Sequence, residues 1–210
     1  MQLLRTMPLP RIIRLLRCRI CPAAAVLPLL AVAGAWATET ENLGLRILPA
    51  PGMVAVDGKV DDWDLSGGVF TTGDAENLRE KLATWFHAMY DAENLYLLTR
   101  WIDQTPLSNP GTIKGDYGFA GDCLQARIIT QPGEGDKERC THLTAWRDRD
   151  GLDVIDAAWG RKFDQGGEKD LQTKAAVQTF LENADGNGYV QEIAIPWTLL
   201  CTDGFRPKAG

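Results

Sequence analysis

The sequence has only two histidines, His87 and His142, and none of the short patterns that assemble a catalytic centre from chain neighbours. There is no G-x-S-x-G nucleophile elbow, no H-E-x-x-H zinc pair and no phosphate-binding glycine loop. Paired carboxylates for glycoside hydrolysis depend on separation in space, and no pair stands out along the chain. The chain is therefore read as a non-enzyme, with His142 a structural histidine in a strand. Positive charge is also scarce. The whole chain carries −6, but Arg5, Arg11, Arg14, Arg17 and Arg19 all precede residue 38 with no acid among them. The remainder holds 17 Lys and Arg against 28 acids, a net of −11. Nucleic acid is excluded as a partner, because phosphate binding needs a basic footprint. Neutral ligands, cations or another protein fit better.

The basic start leads into an uncharged run, Ile20 to Ala37, that ends in the small-x-small pattern Ala35-Trp36-Ala37. Residues 1–37 read as a secretory signal peptide. The alternative is an uncleaved anchor, but Pro22 and Pro28 interrupt the run, and it barely reaches the length a bilayer needs. The expectation is an exported protein, periplasmic, cell-surface or secreted, with no stable membrane span after cleavage. Cys18 and Cys21 leave with the signal, so five cysteines become three. In an oxidising compartment Cys123 and Cys140 could pair across a predicted hairpin, leaving Cys201 as an odd thiol. Three buried free cysteines is the competing reading, since strand pairing does not guarantee the geometry of a disulfide.

Beyond residue 37 no long apolar run keeps helical spacing. Residues 38–52 read as a linker. From residue 53 short strand-like segments alternate with Gly, Asp, Asn and Pro breaks: "MVAVD", "KLATWFHAMY", "NLYLLTRWI", "DCLQARIIT", "RCTHLTAW", "LDVIDAAW", "TKAAVQTFL" and "GYVQEIAI". A short helix is expected in "DAENLREKLA" after Gly73, and one helical turn in "PWTLL". The pattern predicts an all-β, antiparallel sandwich of immunoglobulin-like or jelly-roll type over 53–210. The tail "CTDGFRPKAG" supplies no closing strand, so the sandwich is expected to be truncated at its C-terminus.

Residues 81–103, "KLATWFHAMYDAENLYLLTRWID", are rich in aromatic side chains. A two- or four-residue loop around "DAEN" sets one register, with Tyr90 opposite Leu95. One face then carries Phe86, Ala88, Tyr90, Leu95, Leu97 and Trp101, which reads as core. The other carries Trp85, His87, Met89, Tyr96, Leu98 and Arg100, a mixture poorly suited to a dry interior. Such a face could stack a sugar ring and bond its hydroxyls. Haem is the rival ligand, with Met89 or His87 as axial donors. The third reading is that the face packs beneath a neighbouring loop.

The segments "VAVDGKVDDWDLSGG", "MYDAENLYLLTRWIDQTP", "GDCLQARI" and "GYVQEIAIPWTLL" resemble successive landmarks of family 9 carbohydrate-binding modules and the wider DOMON-like β-sandwich group, over residues 53 to 200. The resemblance implies a sugar held between aromatic side chains, often with structural calcium. A second branch, similar to the small subunit of ethylbenzene dehydrogenase, implies haem b held by a Met and a Lys and a role in electron transfer. Met89 matches the first of these ligands, and no single Lys matches the second. Trp85, Tyr96, Trp146 and Trp159 are sugar-stacking candidates on aromatic character alone, with Arg100 at the rim. Asp57, Asp61 and Asp62, near Asp64, are candidate calcium ligands, since hard cations take oxygen donors from short loops. Their spacing is not that of an EF-hand, and a solvated loop with Trp63 in the core is the simpler reading. Asp185 and Asn187 could also touch a cation, although "DGNG" is first a hairpin turn. The expected function is non-catalytic carbohydrate binding, with further domains or an enzyme partner. Haem-dependent electron transfer and a structural or interaction module are the alternatives.

Overall fold

In the computed structural model the described residues are 39, 41–112, 117–131, 139–160, 168–170 and 175–201. All lie within one compact unit, Trp36–Gly210. The signal-peptide and C-terminal truncation readings concern residues outside this set. Among the described residues no helix is long and apolar enough to cross a membrane.

The protein is mostly β, built as two sheets around a shared core. The first sheet contains β1 (Ile47–Pro49), β2 (Val69–Thr72), β3 (Leu82–Tyr90), β4 (Asn94–Asp103), β9 (Val177–Glu182) and β10 (Tyr189–Pro196), in the order β1-β3-β4-β10-β9, with β2 also paired to β3. The second runs β5-β6-β7-β8, from β5 (Leu124–Gln131), β6 (Arg139–Arg147), β7 (Asp153–Gly160) and β8 (Glu168–Asp170). All pairings are antiparallel except β1 with β3. Residues 47–49 of the expected linker are thus an edge strand. "MVAVD", expected to be a strand, is irregular, and the segment after Gly73 forms turns instead of a regular helix. There Asp74 ties the turn, its Oδ1 accepting the Glu76 and Asn77 N–H groups. The helical turn α1 (Trp197–Leu200) forms as expected directly after Pro196.

The hairpin register is the expected one, Tyr90 opposite Leu95. It sends Ala88, Leu95 and Leu97 inward to meet Leu143, Ala145, Ile155 and Ala157 of the second sheet and Ile193 and Ile195 of the first. Full burial of each large aliphatic side chain stabilises by about 1.5–3 kcal/mol. A polar seam also crosses between the sheets. Gln178 Nε2 donates to the carbonyls of Trp146 (3.1 Å) and Val154 (2.9 Å), and Gln191 Nε2 donates to Ala145 O (3.2 Å) and Gln178 Oε1 (3.1 Å). Satisfied in this way, two buried amides fix how one sheet sits on the other.

The cysteines do not pair. Cys123, Cys140 and Cys201 are all free thiols. The ladder places Cys140 opposite Ile129, whereas Cys123 precedes Leu124, which lies opposite Ala145. Six residue steps of strand separate the two positions by roughly 20 Å, far beyond disulfide reach.

Candidate functional site

The outer face of the β3–β4 hairpin is a second interior. Trp63, Met89, Tyr96 and Leu98 form a buried cluster, with Ala50, Val54, Val60, Leu65, Val190 and Ala194 packed against it. Glu39 and residues 50–65 lie over the face that the sequence offered to a ligand. Its polar groups bond to them. Met89 is 0% exposed, and its Sδ accepts the Asp64 N–H at 3.3 Å. His87 is 1% exposed, with Nε2 2.8 Å from Glu39 Oε1. Arg100 Nη1 donates to the other Glu39 oxygen at 2.5 Å. Burial alone would raise the Glu39 carboxyl, but the bonds from His87 and Arg100 outweigh it and hold it below the ordinary carboxylate value. The face does not fit a haem macrocycle, because the proposed axial donors Met89 and His87 are enclosed and already engaged. No step is derived through that group.

The five sugar candidates are not brought together. Trp85 and Arg100 are ladder partners and remain half-buried at the surface. The Trp85 ring meets Phe70 edge-on at 5.1 Å and stacks at 6.2 Å on His87. Tyr96 is buried in the second cluster, four residues along β4 from Arg100. Trp146 is 0% exposed on the outer face of the second sheet, its Nε1 donating to Gly111 O at 3.3 Å. Neither Tyr96 nor Trp146 can stack on a ligand from these positions, which corrects that expectation. Trp159 pairs with Thr141 in the β6–β7 ladder, and its side chain lies outside the described residues.

The landmark motifs are structural latches. Glu192 of "QEIAIPW" is completely buried: Oε2 accepts the N–H of Gly58 (2.8 Å) and Asp57 (3.0 Å), and Oε1 accepts Trp63 Nε1 (2.9 Å). One carboxylate thus fastens both ends of "DGKVDDW". The second latch is the turn "YDAENLY". Asp91 Oδ1 accepts the N–H groups of Glu93 and Asn94, each at 2.7 Å, and Oδ2 accepts the Tyr96 hydroxyl at 2.7 Å. Trp197, the first residue of α1, closes it, donating Nε1 to Asp91 O at 3.0 Å and its backbone N–H to Glu93 O at 2.9 Å.

For Asp91 burial acts to raise the carboxyl, yet the hydrogen bonds from Tyr96, Asn94 and Glu93 prevail and hold it below its ordinary value. A depressed carboxylate stabilises the fold above its unfolded pKa of about 3.9 and loses that contribution as pH falls through the lower folded value. Asp91→Asn is expected to lower the melting temperature at neutral pH and to lose less on acidification below about pH 4. Thermal melts of both proteins across that range check this, and parallel acid limbs would refute it.

The acidic loop does not gather around a point. Asp57 is ion-paired with Lys59 at 2.6 Å, and Asp62 Oδ2 accepts the Ala55 N–H at 2.7 Å. Among the described residues no group of three or more His, Cys, Asp or Glu could hold a metal ion. Asp57 and Asp62 are each engaged within the loop by their contacts with Lys59 and Ala55. "DGNG" is the hairpin turn expected of it, with Asn183 N–H donating to Gly188 O at 2.9 Å and Asp185 Oδ1 accepting the Asn187 N–H at 2.9 Å.

The sequence missed Trp101. Its parity is that of the core, but it sits near the end of β4, where it remains half-buried with Nε1 donating to Thr99 Oγ1 at 3.0 Å. Tyr189 stacks against its ring at a centroid distance of 5.9 Å. Beside it opens a cavity of about 340 Å³ lined by Thr71, Thr72, Gly73, Leu82, Ala83, Thr84 and Trp101. Ladder register makes this a row across adjacent strands, Thr71 opposite Thr84 and Thr84 opposite Trp101. The Thr72 and Thr84 hydroxyls already donate to backbone carbonyls, Thr72 to Leu82 O at 3.0 Å and Thr84 to Arg100 O at 3.3 Å, so the exposed Thr71 supplies the uncommitted hydroxyl beside an indole surface that can stack a ring. None of the lining side chains titrates near neutral pH, so the cavity can bind and orient but holds no acid or base. Comparison of the chain with protein-family models, curated proteins and solved structures finds no match in any of the three.

Proposed function

We propose that the protein is an exported, non-catalytic carbohydrate-binding β-sandwich of jelly-roll type, which takes a neutral sugar end in the cavity beside Trp101. The observation that carries this reading is the half-buried indole of Trp101 at the edge of a cavity with the exposed Thr71 hydroxyl on its rim. Sugar rings present apolar C–H faces to an aromatic plane and hydroxyls to its rim. A volume of about 340 Å³ lies at the small end of ligand pockets, suited to a chain terminus. The net charge of −11 beyond residue 37 agrees with a neutral ligand. The resemblance to family 9 carbohydrate-binding modules supports the class of ligand and leaves its site to be found.

Calorimetric titration against a panel of neutral oligosaccharides tests the proposal. Trp101→Ala is expected to weaken binding about tenfold or more. Because Trp101 also packs on Tyr189, Thr71→Trp provides a second variant, filling the cavity from an exposed position without touching the core. Trp85→Ala, on the opposite face, should leave affinity unchanged. Saturable binding that survives both Trp101→Ala and Thr71→Trp would overturn the assignment, as would the absence of binding across the panel.

A further inference from the structure

Resting on the reading of the Trp101 cavity as a sugar site, we infer that Leu82 makes that site selective for a 6-deoxyhexose, whose ring carries a methyl group where the parent hexose carries a hydroxymethyl. Leu82 opens β3 and lines the cavity, and its side chain is left 50% exposed. It shares a face with Thr84 and Ala88, so its parity is that of the core. Like Trp101, it has core parity without core cover. An aliphatic side chain left open beside a half-buried indole is a feature the sandwich itself does not use.

The rest of the lining has little to donate. The Trp101 Nε1 proton goes to Thr99 Oγ1, the Thr72 hydroxyl proton to Leu82 O and the Thr84 hydroxyl proton to Arg100 O. Among the described residues, Thr71 is then the lining side chain with a proton to give, and no lining side chain is charged. A sugar hydroxyl pressed against Leu82 loses water without gaining a donor. A methyl group in the same place loses no hydrogen bond and takes apolar surface out of water. An acetamido group fares no better than a hydroxyl, since it brings both a carbonyl and an N–H to be satisfied. The ring hydroxyls are left at the mouth, within reach of Thr71 and water.

Gly73 keeps that mouth open. Its backbone lies outside the left-handed region, and a Cβ there would meet only Leu78 Cδ1 at 4.0 Å, so neither conformation nor packing requires glycine. The Leu82 side chain is open to substitution for a similar reason. Its backbone N–H donates to Leu78 O at 2.8 Å and its carbonyl accepts the Thr72 hydroxyl at 3.0 Å, and a changed side chain leaves both bonds in place.

Calorimetric titration with three sugar series tests the inference. Each series holds the ring hydroxyls fixed while the C5 substituent changes from methyl to hydroxymethyl to hydrogen: 6-deoxyglucose, glucose and xylose; L-fucose, L-galactose and D-arabinose; L-rhamnose, L-mannose and L-lyxose. In at least one series the methyl sugar is expected to bind saturably, about tenfold or more tighter than the hydroxymethyl sugar, since an apolar pocket penalises an added hydroxyl by up to about a hundredfold. It should also bind severalfold tighter than the pentose. Leu82→Ser should bring the methyl and hydroxymethyl sugars within about twofold of each other while the hydroxymethyl sugar still binds, which shows the site intact. Trp101→Ala should weaken every member, and Thr71→Val should weaken all three members alike. Binding that Trp101→Ala weakens but that shows no preference for the methyl sugar would overturn this inference and leave the sugar site standing. An equally tight pentose, or a preference that survives Leu82→Ser, would do the same. Absence of binding across the three series also overturns it, and absence across the oligosaccharide panel as well overturns the reading beneath it.

Discussion

Glu192→Ala is expected to lower the unfolding free energy by about 3–5 kcal/mol, because it strands three donors that one carboxylate now satisfies. The Gly58 N–H and Trp63 Nε1 donors are buried with their acceptor, and the Asp57 N–H is partly buried. None would regain water without moving the loop. The damage should begin locally, since "DGKVDDW" lies over Met89, Tyr96 and Leu98 and has no ladder of its own. Urea denaturation at neutral pH measures the loss, and near-ultraviolet circular dichroism reports the freeing of Trp63. A cost under about 1 kcal/mol would mean that the apolar cluster alone holds the loop.

The same residue makes a statement about pH. Burial pushes the Glu192 carboxyl above its ordinary value, against the bonds from Trp63, Gly58 and Asp57, and nearby Asp62 adds to the rise. A raised carboxyl contributes stability that is fully present below its unfolded pKa of about 4.3 and is lost as pH rises through the folded value. Glu192 and Asp91 therefore respond to acidification in opposite directions. Glu192→Gln keeps one acceptor oxygen and removes the titration, so it should cost less than alanine and remove the gain seen on mild acidification.

Much of the first sheet was legible because it depends on local chemistry. "DAEN" between two alternating segments fixes a hairpin, and the hairpin fixes which side chains enter the core. Only long-range contacts explain the opposite face. His87 and Arg100 meet Glu39 across separations of 48 and 61 residues, and Trp63 meets Glu192 across 129. A mixed polar and aromatic face looks like a ligand surface until the segment that answers each polar group is placed upon it. "MVAVD" alternates as a strand does but finds no partner, whereas "VFTT", too short and polar to stand out, finds one in β3. Trp101 was hidden for a related reason. Parity assigns a side chain to a face, but it does not say where the facing sheet ends.

Gly188→Ala is the second large effect expected, and it bears on the Trp101 cavity. Gly188 has φ +95°, and a Cβ there would lie 2.0 Å from Trp101 O, 2.8 Å from its carbonyl carbon and 3.0 Å from the Asp103 N–H nitrogen. Backbone strain of about 1–2 kcal/mol adds to overpacking of about 1–3 kcal/mol, so the total should be about 2–5 kcal/mol. Gly186 separates the two costs. Its φ is +75°, but nothing lies within 4 Å of the position its Cβ would take. Gly186→Ala should cost only about 1 kcal/mol. Denaturation of the pair, with neutral-sugar binding measured on the folded fraction, gives a sharper result than either alone. If Gly188→Ala loses binding while Gly186→Ala keeps it, the close approach of β10 to β4 is what holds the indole at its angle. If both cost the same and bind alike, the strands can part at Trp101 without moving the ring, and the platform would have to be held from the Tyr189 side.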